Sequence, residues 1–229
     1  MMSKTIVVVG ASRGIGKAIV DQLAAHSDFT ILALSRNVER MKESFGKYSN
    51  VTSFELDLNS KNVRSQCETI FSKYSTIEIL INNAGVLLNK PFLGLNREDI
   101  ETSYSVNVMG VMETVQAAIP KMTKAHIVNI SSMGGFQGSV KFPGLAAYST
   151  SKAAVCSFTE LFAEEYKETS IRMNCLCLGA AKTEMLEEAF PGYEAPISAY
   201  KMAEYITYFA LNADEWMNGK IIPVSLSTP

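Results

Sequence analysis

The sequence predicts an α/β protein: one doubly wound domain spanning residues 1–229, on a seven-stranded parallel sheet. Three observations carry this. Short apolar runs rich in β-branched residues recur along the chain. Most are nearly continuous rather than alternating, which is the pattern of parallel strands covered on both faces. Longer segments of helical character separate them, giving repeated β-α-β units. A glycine-rich turn also follows the first run at once, at the first strand-to-helix junction.

The first strand is KTIVVVG, residues 4–10. The helix after it, GIGKAIVDQLAAH at 14–26, sets Ile15, Ile19, Val20 and Leu23 at the spacing of one helix face. FTILAL (29–34), VTSFELDL (51–58) and IEILINNAG (77–85) are the next three strands. DIETSYSVNVMGVMETVQAAIPKM (99–122) is a long helical pattern that contains Gly110 and ends near Pro120. HIVNISS (126–132) is the fifth strand, and AAYSTSKAAVCSFTELFAEEYKE (146–168) the second long helix. IRMNCLCLG (171–179) and GKIIPVSL (219–226) complete the sheet, with a further helix starting near Ser198. No internal repeat, low-complexity tract or linker interrupts the series.

Composition narrows the function. Hydrophobic residues make up 47% of the chain, enough for a substantial core, and the net charge is −2 with Lys and Arg spread out. No basic run or stripe offers itself to nucleic acid. The longest apolar runs are far too short to span a bilayer. MMSKTIVVVGAS reaches the glycine turn with no small-residue cleavage site, so neither a membrane partner nor a signal peptide is expected. Four cysteines do not suggest a disulfide framework, and a reducing cytoplasm is the expected compartment. Cys175 and Cys177 form a C-x-C in the sixth strand and would point to one face. Two thiolates alone do not close a metal site, and neither His26 nor His126 falls in a ligand-like cluster. The pair is read as small core residues and no metal is expected.

VVVGASRGIGKAIV places Gly10, Gly14 and Gly16 where the first strand becomes a helix, in the spacing G-x-x-x-G-x-G. The first glycine permits the tight turn. The later ones let the backbone approach a pyrophosphate and pack the helix on the sheet, and the helix N-terminus receives the phosphates. Ser12, Arg13 and Ile15 are the other candidate cofactor contacts of this turn. NAD sites need an acid about 20 residues on, to hold the ribose. Here LALSRNVER puts Ser35 and Arg36 at that place. Arg13 and Arg36 would grip a 2′-phosphate that an acid would repel. The expected cofactor is NADP(H).

Tyr148 and Lys152 lie four apart on a helical pattern, hence on one face. An ammonium one turn from a phenol favours phenolate and lowers a pKa that is about 10 when unperturbed. Tyr148 could then exchange a proton with a carbonyl or alcohol oxygen near neutral pH.

With these pieces in view, the chain resembles a short-chain dehydrogenase/reductase from about residue 4 to 226. GASRGIG, LDL, NNAG, SVNVMG, VNISS, YSTSK and LGAAKT occur in family order, and the style is similar to reductases of 3-oxoacyl and similar carbonyl substrates. The resemblance implies a Rossmann domain and a catalytic group of Asn107, Ser132, Tyr148 and Lys152. In that group Ser132 holds the substrate oxygen and Lys152 both tunes Tyr148 and binds the nicotinamide ribose. Asn107 kinks its helix or holds a proton-relaying water. It further implies that Asn83, Ala84 and Gly85 pass beneath the adenosine ribose, that Asp57 and Leu58 meet the adenine, and that Gly179 and Thr183 border the nicotinamide and its phosphate. Homodimers or homotetramers are expected through the two long helices, around 101–121 and 147–166, with Met109, Met112, Phe158 and Phe162 available.

Four features depart from the family pattern. Val9 replaces a threonine before the glycine turn, and Leu178-Gly179 replaces Pro-Gly. The stretch from Thr183 to the helix near Ser198 is short for a lid, which fits an open cleft taking a small carbonyl or a carrier-linked chain. The loop between Ser132 and Tyr148 is lengthened; Phe136, Phe142, Pro143 and Leu145 either line a pocket or anchor a surface loop. The expected activity is hydride transfer between NADP(H) and a carbonyl/alcohol pair. The alternatives are a silent NADP(H)-sensing protein, or epimerase or dehydratase chemistry on the same scaffold.

Overall fold

The structure, a computed structural model, describes residues 4–226. Seven strands form its main sheet: β1 (Lys4–Val9), β2 (Phe29–Ser35), β3 (Val51–Glu55), β4 (Ile79–Asn82), β5 (Lys124–Ser132), β6 (Ser170–Leu178) and β9 (Ile221–Val224). Their order is β3-β2-β1-β4-β5-β6-β9 and every pairing is parallel. A separate two-stranded pair joins β7 (Ala181–Lys182) to β8 (Ile197–Ser198).

The continuous apolar runs have a direct cause. Successive strand side chains point to opposite faces, and both faces are covered. In β1, Ile6 and Val8 pack under α1 (Gly14–Leu23), α2 (Val38–Phe45) and α8 (Ala199–Asn212). Val7 and Val9 pack under α3 (Val63–Phe71), α5 (Gly110–Ala118) and α6 (Ala146–Glu165). Ile6, Val7 and Val8 are fully buried, and each such side chain contributes about 1.5–3 kcal/mol. Phe162, expected at an interface between copies, belongs to this second core and packs in the chain's own interior.

The seven expected strands all form, with ends shifted by one to three residues. β3 stops at Glu55, so Asp57 and Leu58 lie in the turn beyond it. The long pattern at 99–122 divides in four: α4 (Arg97–Tyr104), a π turn (Ser105–Met109), α5, and a 3₁₀ turn (Ile119–Lys121) that holds Pro120. Asn96 and Asp99 cap α4 reciprocally. The segment after Thr183, expected as a bare short lid, contains α7 (Glu184–Ala189), capped by the Thr183 hydroxyl accepting from Leu186 N at 3.2 Å.

Strand order reverses between β1 and β4. Parallel doubly wound sheets open a crevice there, beyond the carboxyl ends of the strands.

Candidate active site

A cleft of about 620 Å³ opens at this reversal. Its floor begins at the β1–α1 turn. Gly10 has φ 85°, in the left-handed region that favours glycine. A Cβ there would also stand 2.6 Å from Ala84 Cα, so the turn and the end of β4 can approach only without a side chain. Asn83 Nδ2 donates to Gly10 O at 3.1 Å and fixes the same junction. Gly10, Ser12, Arg13, Gly14 and Ile15 line the cleft. Gly16 does not; a Cβ on it would lie 2.1 Å from Gly10 O, so it packs the helix on the turn.

Along one side stand Ser35 and Arg36 from the end of β2, then Asp57 and Leu58, then Asn83, Ala84 and Gly85. Ser35 Oγ donates to Ser12 Oγ at 2.8 Å. Asp57 is exposed and accepts from Asn59 N at 3.0 Å. Gly179 and Thr183 close the other side, with Gly179 N donating to Val224 O at 2.9 Å. The Leu178-Gly179 path thus continues the pairing of β6 with β9.

Arg13 differs from expectation. Its guanidinium makes a two-pronged pair with Glu188 of α7, one prong at 3.0 Å. Among the described residues Arg36 has no ion-pair partner and is exposed. Arg13 is therefore already matched by a carboxylate, whereas Arg36 at the end of β2 is not. Arg40 pairs with Glu184 at 3.1 Å, and Asn89 Nδ2 donates to Ala189 O at 2.9 Å. These contacts hold α7 across the cleft mouth, with its two flanks pinned by β7–β8. The acids of EMLEEA thus meet Arg13 and Arg40 across the cleft.

β5 ends in Ser131 and Ser132, whose side chains alternate. Ser131 Oγ turns to α6 and donates to Lys152 O at 2.8 Å. Ser132 Oγ accepts from Gly134 N at 3.1 Å, and Ser132 and Tyr148 line the same cleft. One turn on from Tyr148, Lys152 is 4% exposed and donates from Nζ to Ile130 O at 2.8 Å. Burial pushes the Tyr148 phenol above its usual pKa, and the Ser132 hydroxyl pulls it back. Burial holds Lys152 down at about 8, opposed by the neighbouring cysteines. Desolvation therefore outweighs the downward pull on Tyr148 that the i, i+4 spacing suggests.

Asn107 is fully buried behind the cleft. Its Oδ1 accepts from Val86 N at 2.8 Å, and its Nδ2 donates to Val86 O at 3.0 Å and Ser151 Oγ at 2.9 Å. Its two bonds to Val86 anchor the π turn to the segment after β4. Gly85 sits between: a Cβ on it would lie 3.2 Å from both Asn107 Oδ1 and Lys152 Nζ.

The apolar wall comes from three segments: Val86 and Leu87; Phe142 and Leu145; and Met185, Leu186, Phe190 and Tyr193 on and after α7. The last group was not anticipated from sequence, although a Thr followed by EMLEEA is a cap followed by strong helix formers. Of the lengthened loop, Phe142 and Leu145 reach the cleft, whereas Phe136 packs into a core cluster with Met133 and Cys156. Pro143 does not line the cleft.

Such a cleft fits a dinucleotide. It is long, it starts at a helix N-terminus, and it ends where two hydroxyls line it beside a buried lysine. It can hold a carbonyl oxygen between Ser132 and Tyr148 and deliver a proton to it.

The family profile described as short chain dehydrogenase matches residues 4–194. The oxidoreductase UcpA of Salmonella typhimurium is 33% identical over 193 residues, covering 82% of this chain and 73% of that protein. The 3-oxoacyl-acyl-carrier-protein reductase FabG of Aquifex aeolicus is 30% identical, covering 98% and 97%. A short chain dehydrogenase from Burkholderia cenocepacia, solved in complex with NADP, shares the fold with a TM-score of 0.86 at 23% identity, covering 97% of this chain and 96% of that one.

Proposed function

The chain belongs to the short-chain dehydrogenase family, and from that premise we propose that it is an NADP(H)-dependent reductase of apolar carbonyl compounds. One observation carries the reading: Ser132, Tyr148 and the buried Lys152 converge on the cleft that the glycine turn opens. Gly10, Ser12, Gly14 and Ile15 would hold the pyrophosphate, and Arg36 the 2′-phosphate. Asn83, Ala84, Gly85, Gly179, Thr183 and Lys152 would flank the rest of the cofactor. NADPH supplies the hydride.

Ser132 donates to the substrate carbonyl oxygen and stabilises the charge that develops there. Tyr148 gives that oxygen its proton. A phenol with a raised pKa is protonated throughout the neutral range, which is the form a reduction needs. The Lys152 ammonium then stabilises the phenolate left behind. Asn107 positions Lys152 and Gly85 by tying the π turn to Val86. The apolar wall selects for a hydrophobic substrate, since the charged side chains lining the cleft apart from Lys152 sit on the nucleotide side or on α7.

A screen of NADPH oxidation against apolar ketones, diketones, quinones and 3-oxoacyl thioesters, free or carrier-linked, tests this. The expected result is turnover of an apolar ketone or thioester by the wild type, and a loss of about 10²–10⁴-fold in Tyr148→Phe with NADPH affinity retained. Tight NADPH binding without turnover of any of these would instead make the chain a cofactor-sensing protein, and full activity in Tyr148→Phe would refute the assignment.

A further inference from the structure

Behind Lys152, on the side away from the cleft, three thiols converge. Cys175 and Cys177 alternate along β6 and point to the same face. Cys156 comes from α6, one turn past Lys152. Its Sγ lies 3.5 Å from Cys177 Sγ and 3.9 Å from Cys175 Sγ, and the three sulfurs lie within 4.8 Å of one another. The register of β5 on β6 pairs Ser131 with Cys177, so Ser131 faces the same space. Its Oγ stands 3.4 Å from Cys156 Sγ.

We propose that Cys156, Cys175 and Cys177, closed by the Ser131 hydroxyl, form a binding site for one thiophilic divalent cation of the zinc class. The sequence pattern offered only the C-x-C pair, two ligands short of a site. The fold supplies the other two, from α6 and β5.

Distances and charge both point this way. A zinc ion with bonds of about 2.3 Å to sulfur and about 2.1 Å to oxygen sets tetrahedral edges of about 3.8 Å between sulfurs and about 3.6 Å from sulfur to oxygen. Two sulfur–sulfur edges, 3.5 and 3.9 Å, and one sulfur–hydroxyl edge, 3.4 Å, are close to those values, and the third pair of sulfurs lies within 4.8 Å. Three thiolates around a divalent cation leave one net negative charge. The Lys152 ammonium, 4% exposed and beside the cluster, supplies the matching positive charge. A monovalent cation would leave the buried group one charge short. Soft thiolate donors exclude magnesium and calcium, which require oxygen ligands. Binding releases three thiol protons to solvent and involves no redox change. It would bolt β5 and α6, which carry Ser132 and Lys152, to β6.

The intact wild-type protein, reduced and stripped of metal by chelator, is titrated with Zn²⁺ and, for its spectrum, with Cd²⁺. The expected result is one equivalent of zinc per chain by equilibrium dialysis, an ultraviolet thiolate-to-cadmium band that saturates at one equivalent, and zinc-edge X-ray absorption showing three sulfur neighbours and one lighter one. Cys67, buried alone in α3, is the control: Cys67→Ala keeps the full band. Cys177→Ser loses it, and Ser131→Ala weakens zinc binding at least tenfold. The absorption spectrum is read on the wild type, so the proposal stays testable if a variant does not fold. No saturating band, fewer than three sulfurs, or a band lost with Cys67 overturns it.

Discussion

Replacing Lys152 with methionine should make the metal-free protein more stable while abolishing turnover. The ammonium is 4% exposed and donates to Ile130 O at 2.8 Å. Its pKa is held at about 8, against 10.5 for a free lysine, first by burial, with Cys175, Cys156 and Cys177 pulling the other way. Each tenfold loss of proton affinity is worth about 1.4 kcal/mol, so the buried charge costs the fold about 3 kcal/mol at neutral pH. Methionine keeps most of the apolar stem and removes the charge. It also strips the Ile130 carbonyl of a donor, which offsets about 1 kcal/mol. The net gain of about 2 kcal/mol corresponds to a rise of about 4–8 °C in Tm for a chain of this length. The sign of the pH dependence follows. A lysine whose pKa falls on folding binds fewer protons folded than unfolded between pH 8 and 10.5. Wild-type stability therefore rises across that window as the cost is relieved. The variant's advantage is complete below about pH 8 and gone by about pH 10.5. Paired thermal melts at about pH 7 and about pH 10 measure the gap. A methionine variant that melts lower than wild type at neutral pH, or a gap that does not narrow at high pH, refutes the reasoning.

Three further outcomes are expected. Arg36→Glu should raise KM for NADPH at least tenfold and leave KM for NADH unchanged or lower; steady-state kinetics with an unaltered cofactor ratio would contradict the ribose-end assignment. Asn107→Ala leaves the Val86 N–H and C=O without their side-chain partners. It should destabilise the protein by about 2 kcal/mol in denaturant titration and lower kcat more than it raises KM. Glu188→Gln frees Arg13 from its carboxylate and should tighten NADPH binding severalfold in fluorescence titration; unchanged affinity would show that Arg13 has no part in holding the phosphates.

How far the sequence led depends on the distance between interacting residues. The glycine turn was legible because its requirement is local: a positive φ at Gly10 and no Cβ where Ala84 passes. The Tyr148–Lys152 pair was legible because four residues on a helix is a fixed geometry. A kink at Asn107 was one of two readings that the resemblance offered, but its partner Val86, 21 residues earlier, was not legible. Nor was the pairing of Arg13 with Glu188, 175 residues apart, which changes how many cations face a 2′-phosphate. The direction of the Tyr148 pKa was missed for a related reason. Spacing shows which charge is near, but only packing shows how much water has been removed. The thiol cluster joins Cys156 to two residues on another element, so a search for short metal motifs finds two ligands where the fold assembles four.

The proposed reaction is hydride transfer from NADPH to a carbonyl whose oxygen is held by Ser132 and protonated by Tyr148. Its most direct test uses NADPH carrying deuterium at the transferable C4 position, with an apolar ketone found in the screen. The product alcohol from the wild type is expected to gain one deuterium at the former carbonyl carbon, with Tyr148→Phe and Ser132→Ala giving almost none in the same time. Alcohol formed without deuterium, or labelled equally fast by the Tyr148→Phe protein, would contradict the account.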